Sequence, residues 1–259
     1  MTAIRIRGLV HRYHNSPSAS AATGNGSGTG NVLDGLDLDI APGERVALLG
    51  PNGSGKTTLA LHLNGLLPIQ AGTITIDGMP VAEPHLLEIR RRVGLVFQDP
   101  DDQLFMPTVH DDVAFGPANL GVPRSERDGV VRRALADVDA AHLADRHPHR
   151  LSGGEKRRAA IATVLAMRPD VIVLDEPTSG LDPVGRRELA ELLATIPATQ
   201  LIVTHDLPFA LATCPRSVVV DRGRIAADAP TADLLDDPEL LARHRLELPH
   251  GFALRRRDT

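Results

Sequence analysis

An α/β fold built on a mainly parallel sheet is predicted by three features of this 259-residue sequence. Short apolar runs alternate with helical spacings from "RVALLG" onward, and two glycine-rich turns each stand immediately before a helical stretch. A proline-punctuated, partly helical segment beginning at Asp99 interrupts that alternation as an inserted lobe. With 42% hydrophobic residues the chain can bury a sizeable core in one large domain or in one domain with a lobed extension.

Taken in order, "AIRIRGLVHRY" alternates as a strand does, and "VLDGLDLDIAPGERVALLG" reads as two strands broken at Pro42-Gly43. Between them, residues 15–31 are Ser, Gly, Asn, Ala and Thr with one Pro, without periodicity, which predicts a mobile loop insertion. "KTTLALHLNGLL" has helical spacing, "GTITIDG" is a short strand ending in an Asp-Gly turn, and "RRVGLVFQDP" is another strand. "RDGVVRRALADV" is helical within the lobe. Helix "EKRRAAIATVLAM", strand "DVIVLDEP", helix "VGRRELAELLATI", strand "QLIVTHD" and strand "SVVVDRGRI" then restore the alternation. The segment after about Ala229, with its basic tip "RRR", carries no assignable chemistry.

Composition removes several function classes. A net charge of −5 lacks the basic footprint that phosphate-backbone binding needs, so nucleic acid is not the expected partner. A single cysteine, Cys214, forms no internal disulfide, and the polar start "MTAIRIRGLV" is not a secretory signal, so a cytoplasmic setting is expected. The longest apolar runs fall far short of the ~18 residues that suggest a membrane span, so a membrane role would pass through a partner. Lys56 and Lys156 are the sole lysines among 28 basic residues, and both sit in the glycine motifs. Either arginine-biased composition or a need for a compact ammonium at Lys56 accounts for that.

Gly50, Gly55, Lys56 and Thr57 fit G-x-x-x-x-G-K-[ST] between an apolar strand and a helix. In the loop of Gly50, Pro51, Asn52, Gly53, Ser54 and Gly55, backbone N–H groups can approach phosphate oxygens. Lys56 would neutralise β/γ charge, and Thr57 and Thr58 open the helix, with the Thr57 hydroxyl available to Mg²⁺. Asp175 and Glu176 close the buried-type strand "VIVLD", where ligands collect in open α/β sheets. There Asp175 could hold the Mg²⁺ shell while Glu176 orients or polarises a water for in-line attack. Gln98 and His205 end two further strands and could reach the same edge, or serve structure alone.

The second turn, Ser152-Gly153-Gly154-Glu155, fits a capping box, which by itself marks only a well-capped helix start. The same geometry presents N–H donors and a positive dipole end to an anion. The chain offers this turn no second lysine-bearing loop, so it could grip the γ-phosphate held by another copy.

"GPNGSGKTT", Gln98, "LSGGE", "VIVLDEP", "SGLD" and His205, in that order and over nearly the whole chain, resemble the ATP-binding cassette ATPases. The resemblance implies a P-loop NTPase (RecA-like) core with an N-terminal antiparallel β-subdomain and an inserted α-helical subdomain over 99–158. It further implies one cassette domain over 1–240 and a tail over 241–259. It implies two ATP molecules sandwiched in a head-to-tail pair, each between one P-loop and the mate's "LSGG" turn. By motif, Glu176 would be the general base, His205 would contact the γ-phosphate, and Gln98 would sense Mg²⁺ and the membrane partner. Asp182 would communicate across the pair. Tyr13 would stack on adenine, or, as the sole tyrosine, merely pack the N-terminal sheet.

"VFQDPDDQLFMPTVHDDVAFGPANLGV" resembles the energy-coupling factor branch of importers, and the stretch from "LSGGEKRR" to "GRREL" with "HRLELP" is similar to its cobalt and nickel members. That implies an integral membrane coupling subunit, a substrate-capture subunit and a peripheral position on the cytoplasmic face of the membrane. Vitamin import, biotin for example, and a soluble cassette ATPase are the alternatives. The pair could be a homodimer or could include a related ATPase. Asp99, Asp101, Asp102, Asp111 and Asp112 would offer an acidic surface to basic coupling helices, or be simply solvated. Phe97, Leu104, Phe105 and Phe115 read individually as core, and "HPH" at 147–149 lacks a standard zinc spacing.

Overall fold

The computed structural model describes residues 2–13 and 30–252, so most of the expected insertion over 15–31 and the basic tip lie outside the described residues. Two sheets form the frame. Ile4–His11 (β1) pairs antiparallel with Leu33–Ile40 (β2) on one side and Ala71–Ile76 (β4) on the other, with Met79–Pro80 (β5) at the edge. The alternation that predicted β1 is real: Ile4, Ile6 and Leu9 are buried while Arg5 and Arg7 face out. A register shift at Gly8, whose φ is +57°, keeps Leu9 and His11 on the inner face.

The second sheet runs in the order Arg224–Pro230 (β10), Arg216–Asp221 (β9), Arg45–Leu49 (β3), Thr199–Val203 (β8), Val171–Asp175 (β7) and Val93–Val96 (β6). Its parallel strands, β3, β6, β7, β8 and β9, read as continuous apolar runs because both faces are buried, one against the antiparallel sheet with Leu59 and Leu63, the other against residues such as Ile161, Leu189 and Leu207. Strand β10 returns antiparallel on β9. The expected single strand "SVVVDRGRI" is therefore two, because Arg222 and Gly223 both take positive φ (+51° and +76°) and turn the chain back on itself. Arg224 bonds Asp34 at 2.6 Å and the Asp34 N–H donates to the Gly223 carbonyl at 2.9 Å, tying the edge of this sheet to β2.

Helices fill the connections: Lys56–Leu63 (α1), Leu86–Arg92 (α2), Val109–Asn119 (α3), Arg124–Asp137 (α4), Gly153–Leu165 (α5), Pro183–Thr195 (α6), Leu207–Thr213 (α7), Thr231–Leu235 (α8) and Pro238–Arg243 (α9). The inserted lobe is α3 and α4 packed on α5, with Val109, Val113, Val131, Leu135 and Ile161 in one buried cluster with residues of the sheet. Helix α5 runs past residue 158, and α9 straddles the boundary expected at 240, with Leu241 and Leu246 buried in the same cluster.

Helix α5 lies so close to β6 that a Cβ on Gly94 would sit 2.2 Å from Val164 Cγ1 and 3.3 Å from Pro169 Cγ. Gly94→Ala is expected to destabilise the fold by about 1–3 kcal/mol through overpacking. A urea titration showing an unchanged midpoint would contradict that contact.

Candidate active site

The carboxyl ends of the parallel strands are in register. Leu48 pairs Val203, Asp175 pairs Val203 from the other side, and Val96 pairs Leu174, so the residues that follow β3, β6, β7 and β8 emerge on one edge. The loop after β3 turns through Gly50, Gly53 and Gly55, with φ of +143°, +77° and +107°. Space demands glycine as strictly as φ does: a Cβ on Gly50 would lie 2.1 Å from the Val220 carbonyl oxygen, and one on Gly55 2.7 Å from that of Val32. Gly55 caps α1 without a side-chain bond, so the first N–H groups of α1 remain free for an anion. The Lys56 ammonium, nearly buried, donates to the carbonyls of Gly50 (2.8 Å) and Pro51 (3.0 Å). Burial pulls its pKa down, and the charges of Glu176 and Asp175 oppose this.

Asp175 ends β7 and is buried. Burial raises its pKa, a hydrogen bond from Thr57 lowers it, the neighbouring Glu176 charge raises it and Lys56 lowers it again. Its Oδ1 is enclosed and has no hydrogen-bond partner among the described residues. An orphaned buried carboxylate oxygen beside a threonine hydroxyl is the donor set that a hard cation requires. Glu176 takes a left-handed backbone (φ +43°), fixed by its N–H donating to the Val203 carbonyl at 2.8 Å. Its Oε2 lies 2.8 Å from His205 Nδ1 and accepts the His205 backbone N–H at 3.3 Å.

Gln98 and His205 stand two residues beyond the ends of β6 and β8 rather than at their last positions. Both nevertheless line one cleft of about 440 Å³ with Tyr13, Lys56, Thr57, Asp175 and Glu176. Tyr13 sits at its mouth, about half exposed, its hydroxyl 3.2 Å from Thr58 Oγ1. Behind it the His11 ring meets Tyr13 edge-on at 4.6 Å and His62 at 4.7 Å, so the tyrosine both packs on the N-terminal sheet and presents a ring to the cleft.

The second glycine turn is built as its capping box predicts: Glu155 N–H donates to Ser152 Oγ (3.3 Å) and Ser152 N–H to the Glu155 carboxylate (2.7 Å). Glu155 is further held by Arg146 at 2.8 Å. Ser152, Gly154, Glu155 and Asp182 do not line the cleft of their own chain. Asp182 caps α6 by accepting the Gly185 N–H at 2.7 Å. Gly153 lines a neighbouring groove with Thr57, Gln98, Asp175 and Gly180. Neither Gly153 nor Gly154 has a positive φ. A Cβ on Gly153 would meet only the Gly180 carbonyl oxygen at 3.9 Å, and one on Gly154 would meet nothing within 4 Å. Nothing described in the chain requires glycine there.

Three readings of the segment after Gln98 change. Asp112 is not surface: it is buried and accepts the backbone N–H groups of Phe105 and Met106, both at 2.9 Å, closing the turn before α3. Asp101 is engaged by Lys156 at 2.6 Å, which gives the second lysine a partner. Leu104 is core, whereas Phe105 and Phe115 are 60% and 43% exposed and form an edge-to-face pair with centroids 5.1 Å apart. The rings of His147 and His149 stack at 5.0 Å, and no group of three or more His, Cys, Asp or Glu among the described residues could hold a metal ion. Nor is any described helix long and apolar enough to cross a membrane.

Sequence reasoning missed Arg157 and Gln103, two residues that bind the Gln98 segment to α5. "EKRR" gave no sign of which arginine turns inward.

Residues 33–179 match the family model described as ABC transporter. An ABC transporter ATP-binding protein of Streptomyces coelicolor is 61% identical over 221 residues, covering 85% of this chain and 85% of that one. The energy-coupling factor transporter ATP-binding protein EcfA of Methanothermobacter thermautotrophicus is 45% identical over 223 residues, 84% of this chain and 72% of its own. Among solved structures, cbiO1 of Clostridium perfringens, described as part of the ABC transporter complex cbiONQ, superposes with a TM-score of 0.78 at 35% identity, covering 96% of each chain. The matched residues 33–179 take in both glycine turns and the acidic strand end that follows them, and the chain belongs to the ABC transporter family as one of its ATPases.

Proposed function

We propose that the chain is the energy-coupling subunit of an energy-coupling factor importer, working as a head-to-tail pair that encloses two ATP molecules, with cobalt or nickel ions as the cargo. The observation that carries the pairing is the pair of unconstrained glycines at the start of α5: bare N–H groups at a helix N-terminus, with no packing among the described residues that calls for glycine. The γ-phosphate held by a second copy supplies the missing reason. The similarity to EcfA and cbiO1 supports the importer branch, and the "HRLELP" and signature-helix resemblance supports the metal cargo.

In this reading the loop N–H groups and Lys56 bind the ATP phosphates, and Tyr13 stacks on adenine. Thr57, Asp175 and Gln98 would hold Mg²⁺, which when bound neutralises charge on the β- and γ-phosphates. Glu176 takes the proton of the attacking water. Both His205 contacts fall on Oε2, which leaves Oε1 to face that water, and His205 fixes the carboxylate's orientation. Asp182 carries the state of one site to the other across the pair.

The exposed Phe105–Phe115 pair is the surface that takes the membrane subunit. Replacing both by Asp is expected to weaken co-purification with an integral membrane protein at least about tenfold, the usual scale for removing aromatic anchors. ATP binding should persist. An intact complex would overturn the assignment of that surface. Uptake in cells lacking this subunit tests the cargo: Co²⁺ or Ni²⁺ accumulation should stop, and loss of biotin uptake alone would replace metal by vitamin.

A further inference from the structure

Two turns of α5 are bonded to the segment that carries Gln98. Arg157 donates from Nη1 to the Phe97 carbonyl and from Nη2 to the Gln98 carbonyl, both at 2.8 Å. Gln103 closes the other side: its amide donates to the Ala160 carbonyl (2.9 Å) and lies 2.7 Å from Thr163 Oγ1, while its carbonyl accepts the Phe97 N–H at 3.2 Å. Between them Lys156 grips Asp101.

Arg157 is 2% exposed, its Nε has no partner among the described residues, and its bonds go to two backbone carbonyls rather than to a carboxylate. A buried guanidinium with no ion pair among the described residues is a costly way to pack a helix, since an apolar side chain would fill the space at less expense. What it provides is a rigid planar fork that reaches two successive carbonyls from separate nitrogens, an orientation that the single rotatable ammonium of a lysine does not fix. Gly153 and Arg157 are four residues apart, on one face of α5, and both line the groove that contains Thr57, Gln98 and Asp175.

We infer that Arg157 and Gln103 are positioning residues that join the start of α5 and the Gln98 segment into one rigid piece, so that capture of a partner's phosphate at Gly153 sets Gln98 against the Mg²⁺ edge of its own chain. The inference deepens the paired-ATPase reading and rests on it for the partner's phosphate.

Gln103→Met removes the bridging bonds at nearly constant volume, and Arg157→Lys keeps the charge but loses the fork. Each is made in the otherwise native chain and again with Glu176→Gln. The readouts are binding of a fluorescent ATP analogue with and without Mg²⁺, ATP-dependent dimer formation by light scattering, and turnover. Without Mg²⁺, nucleotide affinity should stay within about twofold, because the loop after β3 is untouched. The Mg²⁺ concentration that half-saturates the affinity gain should rise about fivefold, and kcat should fall about tenfold or more with a smaller change in KM, as for loss of positioning. A fold-stabilising role alone would lower Tm and leave the Mg²⁺ dependence alone. Folded variants with native Mg²⁺ dependence and kcat overturn the inference, and if one variant does not fold the other decides. If Glu176→Gln stays monomeric with ATP, the paired reading falls instead, and the Mg²⁺ titration still tests the hold on Gln98.

Discussion

Replacing Glu176 by Gln is expected to lower ATP turnover by about 10²–10⁴-fold, the usual contribution of a positioned general base. ATP affinity should be preserved and the nucleotide-bound dimer should accumulate. The substitution is nearly isosteric, and the backbone of residue 176 is set by its own N–H bond to the Val203 carbonyl at 2.8 Å, which the amide leaves in place. The left-handed φ of +43° therefore persists, and the contact with His205 Nδ1 can be remade through the amide. What disappears is a carboxylate able to take a proton. Phosphate release in single turnovers and size-exclusion chromatography with ATP and Mg²⁺ give the two readings. Native turnover in a folded variant would remove Glu176 from the role of base.

Much of the frame and the phosphate loop was legible in the sequence because those signals are local. The strand alternation of Ile4 to Leu9, the apolar runs of β3 and β7, the glycine spacing from Gly50 to Gly55 and the capping pair Ser152–Glu155 each fix conformation through neighbouring residues. What was not legible depends on contacts far along the chain. Helices α2 and α7, seven residues each, are too short for a periodic signal. Asp112 looks identical in sequence to Asp111, yet only Asp112 turns inward to accept two N–H groups. Phe105 and Phe115 look like core residues and pair instead on the outside. Gln98 and His205 sit past the strands that were expected to end on them. Their approach to Asp175 follows from the register of β6, β7 and β8, which strand composition does not encode.

Gly153→Asp separates folding from function most sharply, because the two effects have opposite sign. Gly153 is the first residue of α5, where a carboxylate favours the helix dipole by about 0.3–1 kcal/mol. Among the described residues a Cβ there would approach nothing closer than the Gly180 carbonyl oxygen at 3.9 Å. The variant should therefore fold with an unchanged or slightly raised Tm and should bind ATP normally at Lys56 and its loop. Facing a partner's γ-phosphate, the same carboxylate meets like charge where the native turn offers bare N–H groups, and hydrolysis should fall at least about 100-fold, the scale of losing oxyanion-type donors. Mixing tests the geometry directly. A Gly153→Asp copy still has a sound phosphate loop, and a Lys56→Ala copy still has a sound α5 turn, so a mixed pair contains one complete site. Activity should reappear in part on mixing two inactive proteins, below that of one native site, because the copy that supplies the phosphate loop captures no phosphate at its own altered turn to set its Gln98. If both act only within their own chain, the mixture stays as inactive as its parts, and the second glycine turn returns to being a helix cap.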